Sequence, residues 1–338
     1  MSADAEGTNE ARHRAVLADE VTALPADRRP EPGPIAVLPE AERQFVDAVE
    51  AAGGTVEPLS ARTRGVVWLS NKDADAFPAV LEAHPGIGWV QLPFAGVDAF
   101  AGILASEDRP GLVWTSAKGA YAQPVAEHAL VLSLALLRVI PKRVRARSWA
   151  TEPEGRSLYG LDVVIVGAGG IALELMRLLE PFGARVTIVR RSSTPVPGAV
   201  RTVTASQLAE VLPSADLVVV AAALTDGTRR LFGGVEFTAM KPTAYLVNIA
   251  RGGLVDTDAL LDALRTGTIA GAGLDVTDPE PLPDGHPLWD EPNAIITPHQ
   301  ADTPEMTAPL LAERIRLNVR AFLDDGRFVG VVDPSAGY

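Results

Sequence analysis

The chain has 338 residues, 47% of them hydrophobic and 22% charged, with a formal net charge of -13 and no cysteine. That length accommodates two ordinary domains of globular composition. The negative balance argues against a general nucleic-acid-binding role. The missing cysteines exclude disulfides, thiolate metal sites and cysteine nucleophiles.

Residues 1–32 are polar, with no apolar core of signal-peptide type, and no run in the chain reaches the length of a membrane span. The expectation is a cytoplasmic protein with neither nucleic acid nor membrane as partner. Its first 32 residues read as a flexible extension, whose apolar patches, Val16-Leu17 and residues 21–24, are the parts able to dock. From Gly33 the pattern becomes regular. Strands are predicted over 34–38, 65–69, 89–92 and 112–115, with helices over 40–52, ended by Gly53-Gly54, and over 74–84. Pro124 opens a long apolar helix running to Arg138, placed between two α/β units. On it, Glu127 and His128 are of residue types able to serve in catalysis, but the preferred reading is that they cap and stabilise the helix start. The basic group Arg138, Lys142, Arg143, Arg145 and Arg147 reads as a solvated helix face or interface edge, in preference to a polyanion site.

A second unit begins at Leu161. Strands are predicted over 163–166, 185–189, 216–222, 245–248, 272–276 and 294–297, with helices over 170–182, 206–212 and 256–266. A last helix, 304–323, leaves this unit, and the apolar segment 328–332 is expected to return across the first. Strands alternating with helices predict an α/β fold of two Rossmann-like, doubly wound parallel-sheet domains. The expected division is a discontinuous, flavodoxin-like substrate domain (33–121 and 302–338) and an NAD(P)-binding Rossmann domain (122–301).

The most informative stretch is Val163-Val164-Ile165-Val166-Gly167-Ala168-Gly169-Gly170-Ile171-Ala172. A β-branched run ends in a glycine turn that opens directly into a helical pattern. Gly167 permits the tight turn, Gly169 lets backbone approach a pyrophosphate, and Ala172 is small enough for close helix–strand packing. The first N–H groups of the helix would face the anion. The plain alternative is a glycine-rich βα turn with no ligand. At the end of the next strand the sequence reads Val189-Arg190-Arg191-Ser192-Ser193. An NAD-preferring site places a carboxylate there for the ribose 2′-OH. Two arginines instead suit a 2′-phosphate, so NADP(H) is the predicted cofactor, with NAD(H) use left open.

Ligands of open α/β sheets bind beyond the carboxyl ends of the strands. Arg251, Glu280 and His299 emerge there after three successive predicted strands, Glu280 29 residues beyond Arg251 and His299 19 beyond Glu280. An arginine fork can hold a carboxylate and polarise an adjacent carbonyl. A histidine can protonate that carbonyl oxygen as hydride arrives at carbon. A glutamate on the other imidazole nitrogen fixes the tautomer and favours the charged ring. With a nicotinamide held by the glycine turn, this set implies reduction of a 2-oxo acid or the reverse. Taken singly, Arg251 reads as a surface ion pair, Glu280 as a solvated loop residue and His299 as a structural histidine; their joint placement favours catalysis. No metal site is expected.

These residues place the chain close to a known group. It resembles the D-isomer-specific 2-hydroxyacid dehydrogenases, which include glyoxylate/hydroxypyruvate reductases and phosphoglycerate dehydrogenase. The likeness runs from Gly33 to the C-terminus and is strongest over 125–302. It rests on Val125-Ala126-Glu127-His128, the 167–172 turn, Met240-Lys241-Pro242, Asn248-Ile249-Ala250-Arg251-Gly252, Leu274-Asp275-Val276, Glu280-Pro281-Leu282-Pro283 and Thr297-Pro298-His299. The resemblance implies that Arg251 binds substrate, His299 is the acid/base and Glu280 its partner. It implies a substrate carboxylate on the backbone of Ala95 and Gly96, with Arg251 and His299 completing the substrate contacts. Cofactor contacts would come from Gly167, Gly169, Gly170, Ile171, Arg190, Arg191, Ser192, Ala250 and Asp275, the last on the nicotinamide carboxamide. It implies a homodimer formed through the nucleotide domain, an active site in the interdomain cleft and a small 2-oxo or 2-hydroxy acid as substrate. Three departures stand out: Ala172 for the usual glycine, Ala221-Ala222-Ala223-Leu224-Thr225 for a Pro-containing segment, and Asp302 for a small residue. Alternatives are a nucleotide-sensing, corepressor-like protein of the same fold, or an enzyme oxidising another small acid such as formate or phosphite. Glu280 stands where formate enzymes of this fold carry glutamine, which argues against formate.

Overall fold

The computed structural model describes residue 13 and residues 21–107, 109, 111–149 and 151–333. They form two compact units, one of residues up to Tyr121 together with those from Thr303 onward, the other of residues 122–302.

The first unit is built on four parallel strands, β1 (Ile35–Leu38), β2 (Gly65–Trp68), β3 (Trp89–Gln91) and β4 (Val113–Thr115), adjacent in that order. A single parallel bridge between Ile35 and Val56 adds a rudimentary strand outside β1. Counting it, the order is 2-1-3-4-5, the flavodoxin-like arrangement. Every residue of β2, β3 and β4 is buried, as expected for a parallel sheet covered on both faces. On one side Trp68, Phe77, Phe100 and Trp114 pack around one another. A buried polar network ties the late chain to this sheet. The Asn318 amide donates to Gln91 Oε1 (2.7 Å) and to the Val329 carbonyl (2.9 Å), and Val329 N–H returns a bond to Asn318 Oδ1 (2.8 Å). Asn318 lies on the helix Pro304–Arg320. Beyond it, Val331 bridges Thr115 and Val332 N–H donates to the Trp114 carbonyl.

The expected N-terminal extension needs correction for residues 21–32. Thr22–Ala23 pairs antiparallel with Arg327–Phe328, and Arg29 donates to the carbonyls of Leu24 and Asp324. The returning tail offers unpaired backbone groups, and this segment satisfies them. Val16 and Leu17 lie outside the described residues.

The second unit carries seven parallel strands: β5 (Asp162–Val166), β6 (Arg185–Arg190), β7 (Arg201–Thr204), β8 (Leu217–Val220), β9 (Tyr245–Asn248), β10 (Gly271–Leu274) and β11 (Ala294–Ile296). Their order across the sheet is β7-β6-β5-β8-β9-β10-β11. This is the doubly wound order, and it reverses direction between β5 and β8, which are paired directly. β7, and the helices Ile140–Arg145 and Gly234–Ala239, are additions to the sequence expectation. At the amino edge of the sheet, Asp216 takes bonds from Arg156 (2.9 Å), Lys241 (2.9 Å) and Asp162 N–H (3.1 Å). Burial would push this carboxyl up, but those bonds outweigh it and hold it below its ordinary value. The amino edge is thus fastened by charge, which leaves the carboxyl edge to the loops that carry the candidate site. Among the described residues no helix is long and apolar enough to cross a membrane.

Candidate functional site

The glycine turn after β5 lies at the reversal of strand order. Gly167 has φ 122°, donates its N–H to the Val189 carbonyl (2.8 Å), and any Cβ there would run into the Ala221 carbonyl. Ala221 N–H donates in turn to Val166 (2.8 Å). Only glycine fits where three strand ends converge this closely. Gly169 is different: nothing lies within 4 Å of the place its Cβ would occupy. It caps the helix Gly170–Leu179, whose first turn has no side-chain cap. Open space over a helix start with uncapped N–H groups fits a pyrophosphate. Ala172 is fully buried, so a methyl is accommodated at this departure from glycine. Arg190 ends β6 and is half-buried, while Arg191 and Ser192 are exposed in the turn that follows.

Arg251 follows β9 in extended conformation and opens a short turn, Gly252–Leu254. Buried Asn248 shapes this loop: its amide donates to the Arg251 carbonyl (2.9 Å), and its Oδ1 accepts Ala250 N–H (3.1 Å). One guanidinium nitrogen of Arg251 donates to the Ala250 carbonyl (2.7 Å). A Cβ at Gly252 would overlap the Thr277 carbonyl. This glycine therefore lets the Arg251 loop nest on the loop after β10 that leads to Glu280.

Glu280 Oε1 lies 2.6 Å from His299 Nδ1. Both side chains are roughly half exposed, at 42% and 49%. His299 has φ 52°, a left-handed conformation that non-glycine residues seldom adopt. Its N–H is held by the carbonyls of Asp275 (2.7 Å) and Thr297 (3.0 Å). The next two N–H groups, of Gln300 and Ala301, donate to Asp275 Oδ1 (3.0 Å) and Oδ2 (3.1 Å). Thr297 Oγ1 donates to Asp275 Oδ1 at 2.6 Å. Asp275, 1% exposed, thus organises the turn that bears His299. Sequence reasoning placed Asp275 only against a nicotinamide and missed this anchoring role, which a carboxylate directly after a buried strand could have signalled.

His128 also differs from expectation. The helix runs Ala122–Leu137 with no acidic residue in its first turn, so Glu127 and His128 lie beyond the cap. The His128 ring instead reaches Thr297 Oγ1, 2.9 Å from Nε2. Ala95 and Gly96 lie in the first unit, on the loop after β3. That loop is held by Tyr121 OH on the Pro93 carbonyl (2.6 Å) and Ala117 N–H on the Phe94 carbonyl (3.0 Å). Arg251, Glu280, His299, Asp275 and the glycine turn all belong to the second unit. Among the described residues no cluster of three or more acidic, histidine or cysteine side chains could hold a metal.

Residues 129–301 match the family model for the NAD binding domain of D-isomer specific 2-hydroxyacid dehydrogenases. An uncharacterized protein in the proB 3′ region of Corynebacterium melassecola is 40% identical over 275 residues, covering 79% of this chain and 88% of that protein. A glyoxylate reductase of Pyrococcus furiosus is 35% identical over 225 residues, 63% of this chain and 67% of that enzyme. A solved D-isomer specific 2-hydroxyacid dehydrogenase from Xanthobacter autotrophicus Py2, in complex with NADPH and MES, superposes with a TM-score of 0.77. It is 27% identical, covering 91% of this chain and all of that one.

Asp302, the third departure, titrates unusually. Burial first, then the Asp275 carboxylate, push its carboxyl from 3.8 up to about 6, with His299 opposing. A raised acid pKa means that the folded state holds the proton more tightly than the unfolded state. The Asp302 contribution therefore favours folding at low pH and is lost as pH rises from 3.8 through about 6. Asp302→Asn should raise the melting temperature at pH 8 and leave it nearly unchanged at pH 3.5 to 4. Equal gains at both pH values in thermal melts would contradict this origin.

Proposed function

The chain belongs to the D-isomer specific 2-hydroxyacid dehydrogenase family, and on that premise we propose that it reduces a small 2-oxo acid with NADPH. As a member it is an oxidoreductase acting on CH–OH donors with NAD(P). The observation that carries the finer reading is the 2.6 Å Glu280–His299 pair on the same sheet edge as Arg251 and the Gly167 turn. Glyoxylate and hydroxypyruvate are the first substrates to test, since glyoxylate reductases are among the relatives.

Gly167, Gly169, Gly170 and Ile171 would hold the pyrophosphate, Arg190, Arg191 and Ser192 the 2′-phosphate, and Ala250 and Asp275 the nicotinamide end. The bound cofactor supplies hydride to the 2-oxo carbon. Arg251 binds the substrate carboxylate and polarises the carbonyl. His299 donates a proton from Nε2 to the carbonyl oxygen, while Glu280 on Nδ1 keeps the imidazolium stable and oriented. In reverse, neutral His299 removes the hydroxyl proton.

We further propose that a second copy of the chain covers the outer face beside β11, the edge strand of the larger sheet. Val144 (74% exposed), Trp149 (94%) and Trp289 (43%) lie on the exposed surface of this unit. A groove of about 420 Å³ lined by Ile140, Val144 and Trp289 runs beside β11. A largely apolar groove beside an edge strand is the kind of surface that an obligate partner covers.

Three measurements test these readings. NADPH absorbance followed against a panel of 2-oxo acids should show turnover, and His299→Ala should lose about a hundredfold to ten-thousandfold of kcat while still binding NADPH. Retained turnover in that variant would overturn the role of His299. The KM for NADPH should lie below that for NADH, and Arg190→Ala with Arg191→Ala should raise only the former, by about tenfold or more. An equal or lower KM for NADH would refute the preference. Light scattering should give a dimer that Val144→Glu converts to monomer, and a monomeric wild type would refute the interface.

A further inference from the structure

We infer that His128 is a positioning residue for His299, acting through a proton-ordered relay of Thr297 and Asp275. The inference rests on the proposed reaction for its kinetic consequence, but the relay itself is geometric. Thr297 Oγ1 lies between two partners, 2.6 Å from Asp275 Oδ1 and 2.9 Å from His128 Nε2. A hydroxyl has one proton. It goes to the carboxylate, so Oγ1 must accept from His128, and His128 must carry hydrogen on Nε2. His128 Nε2 is also 3.5 Å from Asp275 Oδ1, too long for a good direct bond. Thr297 is therefore the path by which His128 reaches the carboxylate.

The relay matters because of what Asp275 does next. Its two oxygens hold the N–H groups of Gln300 and Ala301, and its carbonyl holds that of His299. These bonds keep His299 at φ 52°. Without the Thr297 hydroxyl and the His128 donor behind it, the Asp275 carboxylate loses the side-chain donor that fixes its rotation. The two backbone bonds would then no longer be held in one geometry. Two further carboxylates stand by this assembly, Glu280 on His299 Nδ1 and Asp302 beside Asp275 and His299. His128 lies on the helix Ala122–Leu137 and the relay ends on loops after β10 and β11, so it ties three elements together. Packing alone would not need a nitrogen donor there, since leucine could fill the space.

The test compares His128→Gln, His128→Leu and Thr297→Val in the full chain. Glutamine can place an N–H donor near the position of Nε2; leucine cannot, and valine removes the hydroxyl at nearly constant volume. With ¹⁵N-labelled histidine, the wild type should show His128 protonated at Nε2. The His299 ring signals should shift in the leucine and valine variants and stay in place in the glutamine variant. Turnover should fall about tenfold in the first two and remain within about twofold in the third. The double variant of leucine and valine should be no worse than either alone, as for residues in one relay. His299 signals unchanged in the leucine variant, or a glutamine variant as impaired as the leucine one, would overturn the relay. Absence of turnover in the wild type would overturn the proposed reaction instead, and the NMR comparison would still decide the relay.

Discussion

The carboxylate of Asp275 stands at the end of β10 and accepts the Thr297 hydroxyl and the N–H groups of Gln300 and Ala301. An ionised group buried this deeply persists only when its lone pairs are met. Here they are met by the backbone of the turn that carries His299, so satisfying the charge and shaping the turn are one event. The left-handed conformation of His299 is a local cost carried by those bonds. The same constraint extends backward through Asp275 N–H, which donates to the Asn248 carbonyl (2.9 Å) and couples the ends of β9 and β10.

The sheet supplies the frame for this arrangement. Its strands are parallel throughout, so all their carboxyl ends lie on one edge. The reversal between β5 and β8 opens the crevice at which the Gly167 turn sits. Two close approaches make that edge compact, the Gly167 turn against Ala221 and Gly252 against Thr277. Each brings one loop of the site against its neighbour, and each excludes a Cβ. The opposite edge is closed by Asp216 with Arg156 and Lys241, an ion cluster that fastens chain without shaping a ligand site.

Much of this was legible in the sequence. The β-branched runs at 163–166 and 217–220 announce buried parallel strands, because both faces of each are covered. β7 was not legible: Arg201-Thr202-Val203-Thr204 buries only Val203, and an edge strand that faces solvent carries little apolar signal. The apolar patch 21–24 marked this segment as able to dock, but not where: its strand pairing with the tail is made by backbone groups, which carry no side-chain signal. Among the site residues, Arg251, Glu280 and His299 stood out by their place after successive strands. The reach of His128 across to Thr297 did not, since the two are separated by most of the second unit in sequence. Local reading assigned His128 to its own helix, whereas the tertiary fold assigns it to the His299 turn.

Transfer of a labelled hydride tests the central claim most directly. NADPH carrying deuterium in its transferable position is mixed with the protein and a small 2-oxo acid, and the acid product is examined by mass spectrometry. The account predicts one deuterium at the former carbonyl carbon of a 2-hydroxy acid for each NADP formed, and almost none with His299→Ala in the same time. Cofactor oxidation without label in the acid, or equal labelling by the His299→Ala variant, would contradict it.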